Sequence, residues 1–172
     1  MNLGRAIYFD RKGAPHALPA GVKPEKRRSV YGIALKRDRL LLLSSEVSPK
    51  KFLPGGAAEE SESDEEALKR EFLEETGYEI GLLSKPLFRF TDKFFADDLR
   101  IYYDSEVRYY LVRLRRKAAG PTDVCEIKSV EFVPLKEVSE KNCARGHWPA
   151  VKKFVAFYAK SSACVPAMRN KA

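Results

Sequence analysis

Apolar residues recur with two different periods along this chain, and the change between them marks its elements. Residues 6–9 (AIYF) read as a short strand, and residues 29–35 (SVYGIAL) as a longer one. After the polar turn Lys36-Arg37-Asp38-Arg39, residues 40–45 pair back as the next strand. Leu40 to Leu43 lack the alternation of a half-exposed strand, which predicts burial on both faces. Phe52-Leu53-Pro54-Gly55-Gly56 predicts a sharp turn in which glycine lets the backbone approach an ion closely. The period then lengthens. Ser63 and Glu66 form a capping box that starts a helix near Asp64, and Gly77 is placed to end it in a left-handed cap. Leu68 and Phe72, four apart, anchor that helix to a core.

Beyond the helix, residues 78–83 are extended. The aromatic, alternating stretch 86–115 predicts strands around an acidic tip of Asp97, Asp98 and residues 104–106. Residues 129–135 read as a last strand and 136–140 as the start of a short helix. Trp148, Val151, Val155 and Tyr158 recur at helical spacing, so 148–160 is an amphipathic final helix. Residues 10–28, with Pro15, Pro19, Pro24 and the bases Lys23, Lys26, Arg27 and Arg28, read as a loop or arm. The chain divides into an N-terminal strand and basic arm (1–28), a single domain (29–160) and a frayed tail (161–172). The interleaving of strands and helices predicts an α/β (α+β) fold, a mixed sheet covered by helices.

Composition adds exclusions. With 172 residues, 44% of them apolar, the chain can bury one real core and is too apolar to be disordered throughout. No apolar run is long enough for a transmembrane helix, and the N-terminus lacks the pattern of a signal peptide. Cys125, Cys143 and Cys164 are odd in number and widely spaced, so they read as reduced thiols of a cytoplasmic protein. The charge is more telling. The net is +8, yet residues 59–75 hold nine acids against Lys69 and Arg70, a local −7 that leaves +15 on the rest. An acidic pocket in a basic body suits a metal-dependent enzyme acting on a polyanion, and general solubility is the plainer alternative.

Three of those acids carry the chemistry. Glu71, Glu74 and Glu75 fan over roughly a quarter of a helix circumference, a spacing at which like charges repel. Oxygen ligands of this kind suit hard divalent cations, Mg²⁺ first and Mn²⁺ next. Arg70 lies four residues before Glu74, so a cation sits beside the fan.

Gly56, five residues, Glu62, seven residues, then Arg70-Glu71-Phe72-x-Glu74-Glu75-x-Gly77-Tyr78 resembles the signature of the Nudix hydrolases at every fixed position. The resemblance implies a Nudix-type α/β/α sandwich with this box as loop–helix–loop. It also implies a hydrolase of phosphoric anhydride bonds, cleaving a nucleoside diphosphate linked to some group X by water attack at phosphorus. Glu71, Glu74 and Glu75 would be the metal ligands, with a carbonyl at Gly55 or Gly56 joining them and Glu62 a weaker ligand. Arg70 would orient the glutamates. In several members the glutamate matching Glu71 also acts as base. In others the base comes from a later loop, and here Glu126, Asp123 or the acids of 97–106 stand in such positions.

The substrate is less sharply indicated. The leading reading is free nucleoside triphosphates or dinucleoside polyphosphates. The alternative is the 5′ end of RNA, favoured by the +15 surround. ADP-ribose or another nucleotide sugar, and a non-catalytic nucleotide-binding module, rank behind both. The proline that ADP-ribose-cleaving members carry beyond the box is missing between Pro86 and Pro121. Non-catalytic modules usually lose box glutamates, and all are present here. The cysteine motif of isopentenyl diphosphate isomerase, which shares the fold, is not found near Cys125. Arg28, Gly56, Glu126 and Tyr102 are the candidate substrate contacts, and either a monomer or a homodimer is compatible with the sequence.

Overall fold

Close contact between one helix and the sheet organises the fold, and a glycine permits it. In the computed structural model, which describes residues 5–118 and 127–164 with side chains as far as residue 160, the strands are β1 (Ile7–Phe9), β2 (Pro15–Ala17), β3 (Glu25–Lys36), β4 (Arg39–Ser44) and β5 (Gly55–Ala57). Helix α1 (Asp64–Thr76) follows, then β6 (Tyr78–Leu82), β7 (Phe88–Ala96), β8 (Ile101–Lys117), β9 (Ser129–Pro134) and helix α2 (Trp148–Cys164). A side chain at Gly32 of β3 would place its Cβ 2.3 Å from the fully buried Phe72 ring of α1, so only glycine lets the helix sit this low.

The described strands form one mixed sheet in the order β2-β1-β7-β8-β3-β4-β9, with β5 paired to β3 and β6 to β8. At its centre β3 and β8 run parallel over ten residue pairs, from Glu25 beside Tyr103 to Ala34 beside Val112. One face packs on α1 through Val30, Ala34, Leu41, Leu43, Leu68, Phe72 and Tyr110. The other packs on α2 through Ile33, Leu40, Leu42, Tyr109, Val151 and Phe154. The leucine quartet thus alternates between two cores, as its lack of a polar partner face requires, and none of the four is more than 1% exposed. Helices on both faces make the α/β/α sandwich.

Several elements differ from the sequence reading. The arm 10–28 contains β2 and the first four residues of β3, because Glu25 to Arg28 find backbone partners on β8. Gly55-Gly56 begins β5 instead of making a simple turn. The expected helix at 136–140 is a single 3₁₀ turn, Leu135–Glu137. Of the acidic tip, only Asp97 and Asp98 lie at the turn, whereas residues 104–106 are inside β8.

Asp104 is held there by cations from two strands. Tyr8 Oη donates to its Oδ1 at 2.8 Å, Lys93 Nζ to the same oxygen at 2.9 Å, and Lys26 Nζ to Oδ2 at 3.1 Å. The Lys93 contact leads in bringing its carboxyl down from the ordinary 3.8 to about 2. A depressed aspartate stabilises the fold fully above its unfolded pKa, and the gain is lost as pH falls through the folded one. The stability gap between the wild type and Asp104→Asn should be constant above about pH 5 and shrink towards pH 2. Urea unfolding at stepped pH measures it, and a gap independent of pH would refute the assignment.

Candidate active site

Helix α1 has its predicted caps. Ser63 accepts from the Glu66 amide while the Glu66 side chain reaches back to the Ser63 amide, and Gly77 closes the helix at φ 73°. With Leu68 and Phe72 packed into the core, Glu71 and Glu75 of α1 meet the glycines of β5. Gly55 sits at φ 130°, a conformation open essentially to glycine, and its amide donates to Glu75 Oε2 at 2.7 Å. Glu75 is only 8% exposed, so this bond fixes a buried carboxylate. A Cβ at Gly56 would stand 2.6 Å from Glu71 Oε1, so the second glycine is the floor on which the Glu71 carboxylate rests.

Arg70 gathers the other acids. Its Nε and Nη2 donate to Glu62 at 2.7 and 2.9 Å, a two-pronged contact, and Nη2 also reaches the Ala57 carbonyl at 3.2 Å. Its Nη1 donates to Glu71 Oε1 at 3.0 Å and Glu74 Oε2 at 3.2 Å. Those two oxygens share one nitrogen and therefore lie no more than about 6 Å apart. The Arg70 hydrogen bonds draw Glu62 down to about 2. Glu71 moves the other way, because desolvation outweighs the pull of Arg70 and raises its pKa.

The donor set fits a hard divalent cation. It consists of carboxylate oxygens, one of them desolvated and still lacking full charge compensation, on a glycine floor with no side chain in the way. Among the described residues the side chains as they stand do not close around an ion, since Arg70 and the Gly55 amide hold the inner oxygens.

Glu62, Arg70, Glu71, Glu74, Glu75, Gly55 and Gly56 are thus brought together. Arg28 lies at the edge of the group, donating from Nη2 to the Glu62 carbonyl, with Nε 3.3 Å from Asp64 Oδ1. It also lines a cavity of about 400 Å³ with Lys26, Arg27, Ala58, Glu59 and Glu60. Tyr102 is elsewhere: it packs on Phe95 and Tyr8, and lies seven residues along β8 from Tyr109, about 23 Å at 3.3 Å per residue. Glu106 is paired with Arg108 at 2.8 Å, and Asp104 with Lys93 and Tyr8. Glu126 and Asp123 lie outside the described residues.

The sequence reading missed Tyr31, which shares a row with Gly55 on β3–β5 and with Tyr109 on β3–β8. Its ring stacks on Tyr109 at 5.7 Å and meets the His147 ring edge-on at 4.4 Å. Burial pushes the Tyr31 phenol up to about 12 and His147 down to about 4, so both are neutral near pH 7. Glu75, Asp92 and Glu71 all add to the Tyr31 shift, which places this aromatic group within electrostatic reach of the carboxylates. Alternation along β3 puts Tyr31 on the α2 face, a clue available in the sequence.

The family model for the NUDIX domain matches residues 25–154. Among curated protein sequences none matches the chain. The solution structure of the E. coli ORF135 protein is similar at TM-score 0.63 and 18% identity, covering 80% of this chain and 94% of that one. A MutT NUDIX hydrolase from Burkholderia pseudomallei gives 0.60 and 18%, covering 74% and 97%. An ADP-ribose pyrophosphatase from Streptococcus suis gives 0.57 and 15%, covering 78% and 91%. At such identities the structural likeness establishes the fold. The match to the NUDIX family model makes the chain a hydrolase of pyrophosphate bonds. The chain belongs to the NUDIX domain family, whose model spans it from the first residue of β3 into α2.

Proposed function

We propose that this protein is a Mg²⁺-dependent pyrophosphohydrolase of free nucleotides, either nucleoside triphosphates or dinucleoside polyphosphates, with Mn²⁺ as an alternative ion. The observation that carries the reading is the set of carboxylates gathered on one side of α1, Glu62, Glu71 and Glu74 through Arg70 and Glu75 through the Gly55 amide. Glu71, Glu74 and Glu75 would hold the cation, with Glu62 and a Gly55 or Gly56 carbonyl beside them. When bound, that cation supplies charge neutralisation for the phosphates and a lowered pKa for the attacking water. Arg70 holds Glu71 and Glu74 beside each other. Glu71, whose proton affinity burial raises, suits the role of proton acceptor from the attacking water.

A nucleotide is favoured by charge and by shape. The box lies in a surround carrying +15, which attracts a polyphosphate. Arg27 and Arg28 border a cavity beside the box loop. The half-buried Tyr31 ring, neutral and backed by the buried Tyr109, lies within electrostatic reach of the acids and is of a kind on which a base stacks. One structural relative is an ADP-ribose pyrophosphatase, and the same charge surround is the ground for the second reading, an RNA 5′ end.

The test is a panel of nucleoside triphosphates, dinucleoside polyphosphates, nucleotide sugars and 5′-triphosphorylated RNA with Mg²⁺ or Mn²⁺, read by product identity. Fastest turnover of a free nucleotide supports the proposal. Preference for RNA with a steep loss at higher salt supports the second reading, and no cleavage of any phosphoric anhydride refutes both.

A further inference from the structure

The box is also gripped from the sheet side, through a residue that has no part in the signature. Asp64 opens α1, and its side chain is 14% exposed. Helix capping belongs to the neighbouring Ser63, so the Asp64 carboxylate is available to other groups. Two hydrogen-bond donors from one strand and the Arg28 cation from another converge on it. Arg108 Nη1 donates to Oδ2 at 2.8 Å, the Tyr110 hydroxyl donates to the same oxygen, and Arg28 Nε faces Oδ1 at 3.3 Å. Arg28 continues the path by donating from Nη2 to the carbonyl of Glu62. Glu62 in turn takes the two-pronged contact of Arg70, which holds Glu71 and Glu74. Arg108 is steadied by Glu106 at 2.8 Å.

A connected series of ion pairs and hydrogen bonds therefore runs from β3 and β8 to the carboxylates that face β5. Its central link is one anion between two guanidinium groups that are 34% and 22% exposed. Without that anion the two cations would face each other across a partly dry space, and the residue bonded to the Glu62 carbonyl would be the one to move. We propose that Asp64 is a positioning residue for the acidic site. It fixes Arg28, Arg28 fixes the backbone of the 58–62 loop at Glu62, and Glu62 sets the reach of Arg70 towards Glu71 and Glu74. This rests on reading those carboxylates as the metal site. Partners one shell out from metal ligands commonly change affinity or activity by 10- to 100-fold when altered.

The experiment uses the full chain, freed of metal and below its unfolding midpoint. Calorimetry measures Mn²⁺ binding, amide hydrogen exchange follows residues 58–63, and kcat and KM are taken separately. Asp64→Asn should weaken Mn²⁺ binding about tenfold or more, speed exchange in the loop and lower kcat more than it raises KM. Tyr110→Phe, which removes one donor, should move the same quantities less. Tyr8→Phe is the control, since it loses a hydroxyl contact at the remote Asp104 and should lower thermal stability without changing Mn²⁺ binding. Folded Asp64→Asn with wild-type Mn²⁺ binding overturns the proposal, as does a Tyr8→Phe effect of equal size. If Asp64→Asn does not fold, Tyr110→Phe and Arg28→Lys decide, and wild-type Mn²⁺ binding in both overturns it. Wild-type Mn²⁺ binding and activity in Glu74→Gln would instead refute the metal-site reading, a result distinct from any of these.

Discussion

Glu74→Gln and Glu71→Gln should each lose hydrolysis by well over a hundredfold while the protein stays folded. The floor comes from partners one shell further out, whose loss already costs up to about that much. Both substitutions keep size and shape and remove a charge the cation needs. Stability should move the opposite way, at least for Glu71. Its carboxylate is desolvated and repelled by Glu74 and Glu62, so the folded state disfavours its charge. A neutral amide relieves that burden and forfeits only the 3.0 Å contact from Arg70 Nη1. The thermal midpoint of metal-free Glu71→Gln should equal or exceed that of the wild type. Activity is read by product release and folding by circular dichroism. Full activity in both variants would remove the carboxylates from the mechanism.

The second large effect separates two adjacent glycines. Gly55→Ala should prevent stable folding. The new Cβ would stand 2.1 Å from the Val30 carbonyl oxygen, which belongs to the backbone of the central strand and cannot swing aside, and φ 130° is strained for alanine. A cost of about 4 kcal/mol or more is in the range reserved for such clashes, comparable to the whole stability of many domains. Gly56→Ala should fold, because the atoms nearest its Cβ are the end of the Glu71 side chain, yet it should be nearly inactive because that carboxylate must move. Expression, thermal melting and turnover of the two variants separate the outcomes. A stable Gly55→Ala protein would contradict the described β3–β5 pairing.

The helix that carries the acids was legible in the sequence because its signals are local. Ser63, Glu66 and Gly77 act within four residues of their partners, and the structure has each in the role expected. The leucine quartet was legible for a related reason, since lack of alternation is itself the signal. The start of β3 was not. Glu25 to Arg28 have no apolar pattern, and they are extended because Tyr103 to Glu106 lie alongside. Asp104 looked like a turn residue on composition alone, and its cations come from Lys93 and Lys26. The clamp on Asp64 was invisible for the same reason, as Arg28 and Arg108 stand 36 and 44 residues away in the chain. Charges in a sequence carry no address until the sheet supplies one.

The parallel ladder between β3 and β8 has a consequence for how the molecule assembles. Its partners, Glu25 with Tyr103 and Ala34 with Val112, are 78 residues apart. Closing a loop of that length costs entropy before any ladder contact repays it, and chains of such high contact order fold slowly. Helix α1, with its own caps, needs no such closure. The alignment of the glutamates on their helix is thus a local matter, whereas their meeting with Arg28, Arg108 and Gly55 depends on closing the sheet.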